Sequence, residues 1–170
     1  MIRLFILLAC TLAYSSVVGQ NVDELEKRYG FKDIRLESYA DSVKGVKFKK
    51  DFQENDVYPA KAYSVEHADY SKIGDVRVKE INLKAYNDLI YEISVIVEKD
   101  VRLMKALESL FGKAEFDMKN ETYFWKTENI ILKFRPAGKN SLELLYTSFP
   151  MHKLMKEGKQ KKVEEIANDF

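Results

Sequence analysis

The chain lacks most of the residue types on which enzymes, metal proteins and disulfide-stabilised secreted domains depend. Its 170 residues include one cysteine, two histidines, three prolines and seven glycines. The cysteine, Cys10, lies in an apolar N-terminal segment, so the rest of the chain depends on apolar burial rather than on internal disulfides for stability. The glycines are scattered and form no phosphate-binding loop, which leaves nucleotide binding without support.

The scarcity of histidine and the absence of catalytic motifs argue against an enzyme. His67 and His152 lie in segments predicted as a loop and the chain end, and neither belongs to a zinc-ligand or hydrolase motif. Glu92 lies in the middle of a predicted strand, but the alternation of that strand points its carboxylate toward solvent. We therefore predict no catalytic residue, no metal site and no cofactor. A histidine-dependent enzyme stays as the third functional hypothesis.

Neither sign of charge is in excess. The chain has 28 basic and 27 acidic residues, which gives no argument for nucleic acid or an anionic membrane as the main partner. Lysines gather between residues 153 and 162, where glutamates dilute them. We interpret that segment as the solvated face of a helix.

The sequence has one long apolar run, Leu4 to Ala13, which follows Arg3 and gives way to small and polar residues up to Gln20. This pattern predicts a secretory signal peptide over residues 1–20 with no membrane span after its removal, and hence a secreted or periplasmic protein. The absence of disulfides favours a bacterial envelope protein. The stretch ending at Cys10 also resembles a bacterial lipobox, so lipidation of Cys10 is the alternative to cleavage near Gln20.

The clearest helical pattern covers Val101 to Phe111. Asp100 is a suitable N-cap, and Gly112 stands where a left-handed residue would end the helix. The apolar residues recur every three or four positions along one side: Val101, Leu103, Met104, Leu107, Leu110 and Phe111. We expect this stripe to cover a sheet.

Alternation of apolar and polar residues predicts six strands around this helix. They are Tyr58–Val65, Asp75–Leu83, Leu89–Val97, Thr122–Lys126, Asn129–Arg135 and Leu142–Thr147. In the strand from Leu89, Tyr91 falls in the same phase as Ile93 and Val95, which predicts one shared apolar face. The phase slips at Lys79-Glu80, which indicates a bulge.

These elements predict a single α+β domain over residues 21–170, with an antiparallel sheet of about six strands. Their order indicates two tandem units, 31–98 and 99–148, each a helix followed by three strands. The helix of the first unit is predicted over Ser38–Lys44, both helices pack on one face of the sheet, and residues 150–170 form a C-terminal helical tail. The predicted core comprises Tyr91, Ile93, Val95, Leu103, Leu107, Leu110, Ile130, Leu132, Phe134, Leu142 and Leu144.

Aromatic residues are the best candidates for a binding surface. Phe124 and Trp125 are adjacent, so they point to opposite faces of their strand. Aromatic side chains on a sheet can line a ligand groove or a partner surface, although they more often belong to the core. The candidate binding residues are Tyr91, Tyr123, Trp125 and Tyr146.

One layout motif resembles known proteins. A helix ending in Leu110-Phe111-Gly112-Lys113-Ala114 is followed by the aromatic strand Tyr123-Phe124-Trp125-Lys126 and by Ile130-Ile131-Leu132. This order is similar to small uncharacterised bacterial envelope proteins, to the helix-plus-sheet repeat of the β-lactamase inhibitor protein and to small outer-membrane assembly lipoproteins. The resemblance covers residues 31–148 and implies a fold only. The proline usual after that helix is replaced by Ala114, and no functional residue carries over.

Two functions follow from these patterns. The leading hypothesis is a non-catalytic secreted or periplasmic binding module that contacts a protein or an envelope component through its open sheet face or its aromatic strand. The alternative is a carrier of a small apolar or aromatic molecule, with a pocket between helix and sheet lined by the four candidate aromatic residues. The sequence specifies neither the partner nor the oligomeric state.

Overall fold

The structure is a computed structural model that describes residues 22–55 and 57–168, with all of their side chains except that of Lys162. The predicted signal peptide over residues 1–20 and the alternative lipidation at Cys10 lie outside the described residues. Among the residues described, no helix is both long and apolar enough to cross a lipid bilayer. The fold is α+β with an antiparallel sheet and a C-terminal helix, as predicted.

The described chain contains three α-helices and eleven strands. The helices are α1 (Val22–Arg28), α2 (Arg102–Phe111) and α3 (Phe149–Asn168). The strands are β1 (Gly30–Phe31), β2 (Ile34–Arg35), β3 (Val46–Glu54), β4 (Tyr58–Val65), β5 (Lys72–Ile73), β6 (Val76–Tyr86), β7 (Leu89–Glu98), β8 (Glu115–Asp117), β9 (Thr122–Lys126), β10 (Ile130–Pro136) and β11 (Ser141–Ser148). Two short 3-10 turns lie at Ala40–Ser42 and Ala68–Tyr70.

Among the described residues, nine strands form the main sheet. Eight of them lie in the order β3-β4-β6-β7-β11-β10-β9-β8, and β5 pairs with part of β6. Each predicted unit contributes four of the eight strands. The last strands of the two units, β7 and β11, meet at the centre, where Val95 lies opposite Leu144. The strand order on one side of this seam therefore mirrors the order on the other.

One face of the sheet, called the inner face here, carries the main core. Ile93, Val95 and Leu132 lie on it and are fully buried. The elements that cover it, α1, the β1–β2 hairpin and α2, bury side chains in the same cluster: Leu25, Phe31, Ile34, Leu103, Leu107 and Phe111. All predicted core residues are buried except Leu110 and Leu142, which pack against this cluster while partly buried.

The helix α2 forms where the sequence predicts it. The Asp100 carboxylate accepts a hydrogen bond from the backbone N–H of Arg102 at 2.8 Å, which satisfies one free donor of the first turn. Gly112 ends the helix with a φ of 78°, which favours glycine because a Cβ would be strained there. Val101 was expected in the apolar stripe but is 79 % exposed, because it precedes the first helical residue.

The sheet has more strands than the six expected. The sequence does not indicate β3, because charged residues and a shift of register between Phe48 and Lys50 interrupt its alternation. As an edge strand it also buries little apolar surface. The strands β5 and β8, of two and three residues, are too short to carry a recognisable period. The bulge predicted at Lys79-Glu80 is confirmed by a register shift between Val78 and Glu80.

The helix predicted over Ser38–Lys44 is wrong. The segment forms only the 3-10 turn Ala40–Ser42, and Val43 is already extended. Its backbone bonds instead to the start of β7, where the N–H of Ile90 donates to the carbonyl of Ser38 at 2.9 Å. These long-range backbone hydrogen bonds replace the local ones that a helix would make.

The predicted C-terminal tail forms the helix α3, which packs on the side of the sheet opposite α1 and α2. Met151 and Met155 of this helix bury themselves against Ala60, Tyr86 and Tyr91 in a second apolar cluster. The helix begins directly after β11, where the Ser148 hydroxyl accepts a hydrogen bond from the backbone N–H of Met151 at 3.1 Å and acts as its cap. Its distal part, from Lys159 onward, is exposed wherever its side chains are described.

Candidate functional site

The side of the sheet opposite the inner face, called the open face here, carries a group of polar side chains on β6, β7 and β11. Lys84 on β6 lies opposite Glu92 on β7, and Ser94 on β7 lies opposite Leu145 on β11. Glu143, two residues before Leu145, lies on the same face. The cross-strand positions of a pleated sheet thus bring four polar side chains together from three strands.

A bulge in β7 places Tyr91 on the open face as well. Lys84 pairs with Glu92 and Ala85 pairs with Ile90, which leaves Tyr91 as an extra residue between the two pairs. The bulge resets the alternation, so Tyr91 joins the cluster under α3 while Ile93 stays in the main core. The predicted shared phase is therefore wrong at Tyr91, although the side chain is buried as expected.

Three strands meet in an ion-pair network on this face. The Lys84 ammonium lies 3.1 Å from Oε2 of Glu54 and 3.0 Å from Oε1 of Glu92. The Tyr91 hydroxyl donates a hydrogen bond to the same Glu54 oxygen at 2.8 Å. The Glu54 and Glu92 side chains are 18 % and 19 % exposed, so the network is largely shielded from water. We call Glu54, Lys84, Glu92 and Tyr91 the β6–β7 network.

The pKa shifts in the β6–β7 network show that its charges compensate each other. Burial raises the pKa of Glu54, but the hydrogen bonds from Tyr91 and Lys84 lower it by more. The pKa of Glu54 therefore lies below its usual value. Burial lowers the pKa of Lys84, but Glu92 and Glu54 outweigh it, and the net pKa lies above the usual value. Burial and the bond to Glu54 raise the pKa of Tyr91. The Glu54 carboxylate and the Lys84 ammonium are therefore charged at neutral pH.

A groove of about 460 Å³ lies beside this network. The Ser94 hydroxyl donates to Oε1 of Glu143 at 2.6 Å, and Nε of Arg135 donates to Oε2 of the same carboxylate at 2.7 Å. The short side chains along the groove are Ala62, Asn82 and Ser94, and the long ones are Lys50, Lys84, Glu92 and Glu143. Several of the long side chains are therefore held in place by cross-strand bonds.

His152 of α3 packs beside the β6–β7 network. Its ring meets the Tyr91 ring edge-on, with centroids 5.5 Å apart. The charged groups that act on it are Glu54, Glu92 and Lys84 from the sheet and Lys156 from its own helix. Burial lowers its pKa below the usual 6.5. The neutral ring therefore predominates at pH 7 and packs on Tyr91 as an aromatic side chain.

We expect the folded state to lose stability as the pH falls below about 6.5, because His152 takes up a proton more readily in the unfolded chain than in the folded one. Protonation of Glu54, whose pKa is lowered from 4.5, adds to this loss at more acidic pH. Replacing His152 with Phe keeps the ring contact and removes the titration. The unfolding temperature, measured from pH 8 to pH 5.5, should depend less on pH for His152→Phe than for the parent protein. An equal pH dependence in the two proteins would show that His152 is not the group responsible.

The structure does not bring the four predicted aromatic residues together. Trp125 is fully buried beneath α2, where its Nε1–H donates to the Gly112 carbonyl at 2.7 Å. Tyr146 is buried in the same core, and burial raises its pKa. Tyr91 lies on the other side of the sheet, under α3. Trp125 and Tyr146 are thus core residues with little surface to offer a partner.

Tyr123 is the one candidate aromatic residue at the surface. Its side chain is 39 % exposed and lies 4.6 Å, between ring centroids, from Phe116 on the edge strand β8. Phe124 points to the opposite face from Trp125, as predicted, and is half-buried there. Between α2 and the sheet, the Trp125 ring packs against the Phe111 ring.

Sequence reasoning missed most of the β6–β7 network. Glu92 lies on the face away from the main core, as its alternation predicts. The expected exposure to solvent is wrong, because the side chain pairs with Lys84 and is only 19 % exposed. Neither Glu54 nor Lys84 belongs to a pattern that the sequence singles out. Only the antiparallel register, which is not encoded in any local pattern, places them beside Glu92.

The described residues include no group of three or more histidine, cysteine, aspartate or glutamate side chains that could hold a metal ion. No protein-family model, curated protein or solved structure matches this chain. The resemblance to the β-lactamase inhibitor protein therefore stays a prediction.

Proposed function

We propose that this protein is a non-catalytic, exported binding module whose contact surface is the groove on the open face. The observation that carries the proposal is the fixed geometry of the charged side chains around that groove. Lys84 is held by two carboxylates, and Glu143 is held by Ser94 and Arg135. The export part of the proposal rests on the N-terminal sequence pattern alone.

Ordered side chains favour binding because their entropy is already lost before a ligand arrives. Immobilising a long, flexible side chain at an interface costs about 0.5–1.5 kcal/mol. An exposed lysine or glutamate that serves only solubility is usually unpaired and mobile, and a surface pair adds little stability. The network is instead largely shielded from water, and the groove beside it presents donors and acceptors in fixed positions.

The groove favours a polar ligand over an apolar one. Its short side chains include the amide of Asn82 and the hydroxyl of Ser94, and both signs of charge surround them. Charged and hydroxyl groups that line a cleft give specificity for ligands with matching donors and acceptors. An extended peptide or an oligosaccharide has that chemistry.

The proposal is tested by filling the groove. We expect Ala62→Trp to abolish binding, because the new ring occupies the space between Lys50 and Lys84. Ser109→Trp, at an exposed position on α2, is the matched control and should bind like the parent protein. The measurement is an amide-shift titration of the labelled protein with unstructured peptides of either charge and with neutral oligosaccharides.

Amide shifts that cluster on β4, β6 and β7 and disappear in Ala62→Trp would support the groove. Shifts that cluster elsewhere, or that persist unchanged in Ala62→Trp, would rule it out. Native mass spectrometry of the purified protein distinguishes the carrier alternative, since an apolar molecule that co-purifies would support a carrier instead.

A further inference from the structure

Two exposed aromatic pairs lie at opposite edges of the sheet. At one edge, Phe48 on β3 is 55 % exposed and packs edge-on against Tyr63 on β4, with ring centroids 5.8 Å apart. At the other edge, Phe116 on β8 is 48 % exposed and packs against Tyr123 on β9. In each pair the phenylalanine lies on the edge strand and the tyrosine lies directly opposite it in register.

The register shows that both pairs lie on the inner face. Tyr63 continues across the sheet through Leu83 to Ile93. Tyr123 continues through Phe134 to Leu144. Both lines of side chains end in the main core. Because the strand order is mirrored about β7 and β11, the two aromatic pairs occupy equivalent positions in the two halves of the sheet.

The two edges carry the same aromatic residue between opposite charges. Phe48 stands between Lys47 and Lys49, and the Lys-Phe-Lys edge is basic. Phe116 stands between Glu115 and Asp117, and the Glu-Phe-Asp edge is acidic. No further strand of the main sheet in the described chain pairs with the outer side of β3 or β8, so both are edge strands, which can pair with a strand of another chain.

We propose that β3 of one copy of this protein pairs with β8 of a second copy. Strands alternate in direction across the sheet, so β3 and β8 run in opposite directions. A second copy placed alongside in the same orientation therefore brings its β8 antiparallel to β3, with the inner faces aligned. In the register that sets Phe48 opposite Phe116 of the second copy, Lys47 faces Asp117 and Lys49 faces Glu115.

Charge selects this pairing over the symmetric ones. Two β3 edges would set Lys47 opposite Lys49, and two β8 edges would set Glu115 opposite Asp117, and both arrangements are repulsive. Within one copy Lys47 pairs with Glu66, and Asp117 accepts hydrogen bonds from its own turn. We infer that the charges determine which edges pair, and that the contact between the two phenylalanine rings supplies the binding free energy.

The association is open-ended and weak. Because each copy uses two different edges, pairing produces a chain rather than a closed dimer. The contact is short, because β8 has three residues and a register shift after Phe48 interrupts β3. Such small contacts are typical of transient association. We expect the weight-average mass of the protein to rise with concentration up to about 1 mM.

Charge reversal tests the proposal. Lys47→Glu/Lys49→Glu makes both edges acidic, and Glu115→Lys/Asp117→Asn makes both edges basic. Each variant alone should stay monomeric in sedimentation equilibrium, and an equal mixture of the two should associate again, because each basic edge then meets an acidic one. Asn at position 117 keeps the acceptor that the following turn uses.

The matched control is Lys105→Glu/Lys159→Glu, which reverses two exposed charges away from both edges and should associate like the parent protein. Circular dichroism of each variant verifies that the fold is retained. A parent protein that is monomeric at 1 mM would overturn the proposal, and so would variants that associate alone or a mixture that stays monomeric. None of these results depends on the groove of the open face.

Discussion

Trp125→Ala should lower the free energy of unfolding by about 3–5 kcal/mol, the range for removing a large aromatic side chain from a core. Trp125 is fully buried, and its ring meets that of Phe111 at a centroid distance of 6.0 Å. The substitution leaves a cavity under α2 and removes the donor that the Gly112 carbonyl uses at the end of that helix. Urea unfolding followed by circular dichroism measures the change.

Two variants separate the causes of this loss. Trp125→Phe keeps much of the ring volume and removes the indole donor, so we expect a smaller loss of about 1–2 kcal/mol. Tyr123→Ala alters a residue on the same face of the same strand that is 39 % exposed, and it should cost less than about 1 kcal/mol. A Trp125→Ala protein as stable as Tyr123→Ala would contradict the placement of Trp125 in the core.

Lys84→Met should lower the free energy of unfolding at pH 7 by about 2 kcal/mol. Removing one partner of a fully buried ion pair typically costs about 3–5 kcal/mol, and we expect less here because water still reaches part of the network. Without the ammonium, the carboxylates of Glu54 and Glu92 face each other with no cation between them. Methionine fills the space of the lysine stem, so the loss reports charge rather than volume. Urea unfolding at pH 7 measures this effect.

The pH dependence of Lys84→Met distinguishes charge from packing. Lys84 lowers the pKa of Glu54 in the parent protein. Without it Glu54 takes up a proton at higher pH, which ends the repulsion, so the difference between variant and parent should shrink between pH 7 and pH 4.5. Adding Glu92→Gln to Lys84→Met should recover part of the loss at pH 7. Lys105→Met, an exposed site on α2, should change little. A deficit that is independent of pH would show that the lysine acts only through packing.

The burial of each residue decides whether its substitution can test binding without disturbing the fold. Trp125 is unsuitable as a binding-site probe, because its removal disturbs the core beneath α2. Ala62 is a better position for a blocking substitution, since it lies among the short side chains of the groove. For the sheet edges, charge reversal at exposed positions avoids the core altogether.

The sequence by itself determined the elements whose signals are local. The six predicted strands all exist, and β4 and β9 match their predicted bounds. The start and end of α2 are encoded by Asp100 and Gly112, which act on backbone groups within a few residues of themselves. Alternation and capping depend on the immediate neighbours of a residue, so they can be read without knowing the fold.

Only the tertiary structure decided which residues meet. The bulge at Tyr91, the side of the sheet on which α3 packs and the placement of Glu54 beside Lys84 all follow from strand register. Register is set by many weak contacts between segments distant in the chain, and a shift of one residue moves a side chain to the other face. The network, its groove and the complementary edges are therefore properties of the assembled sheet.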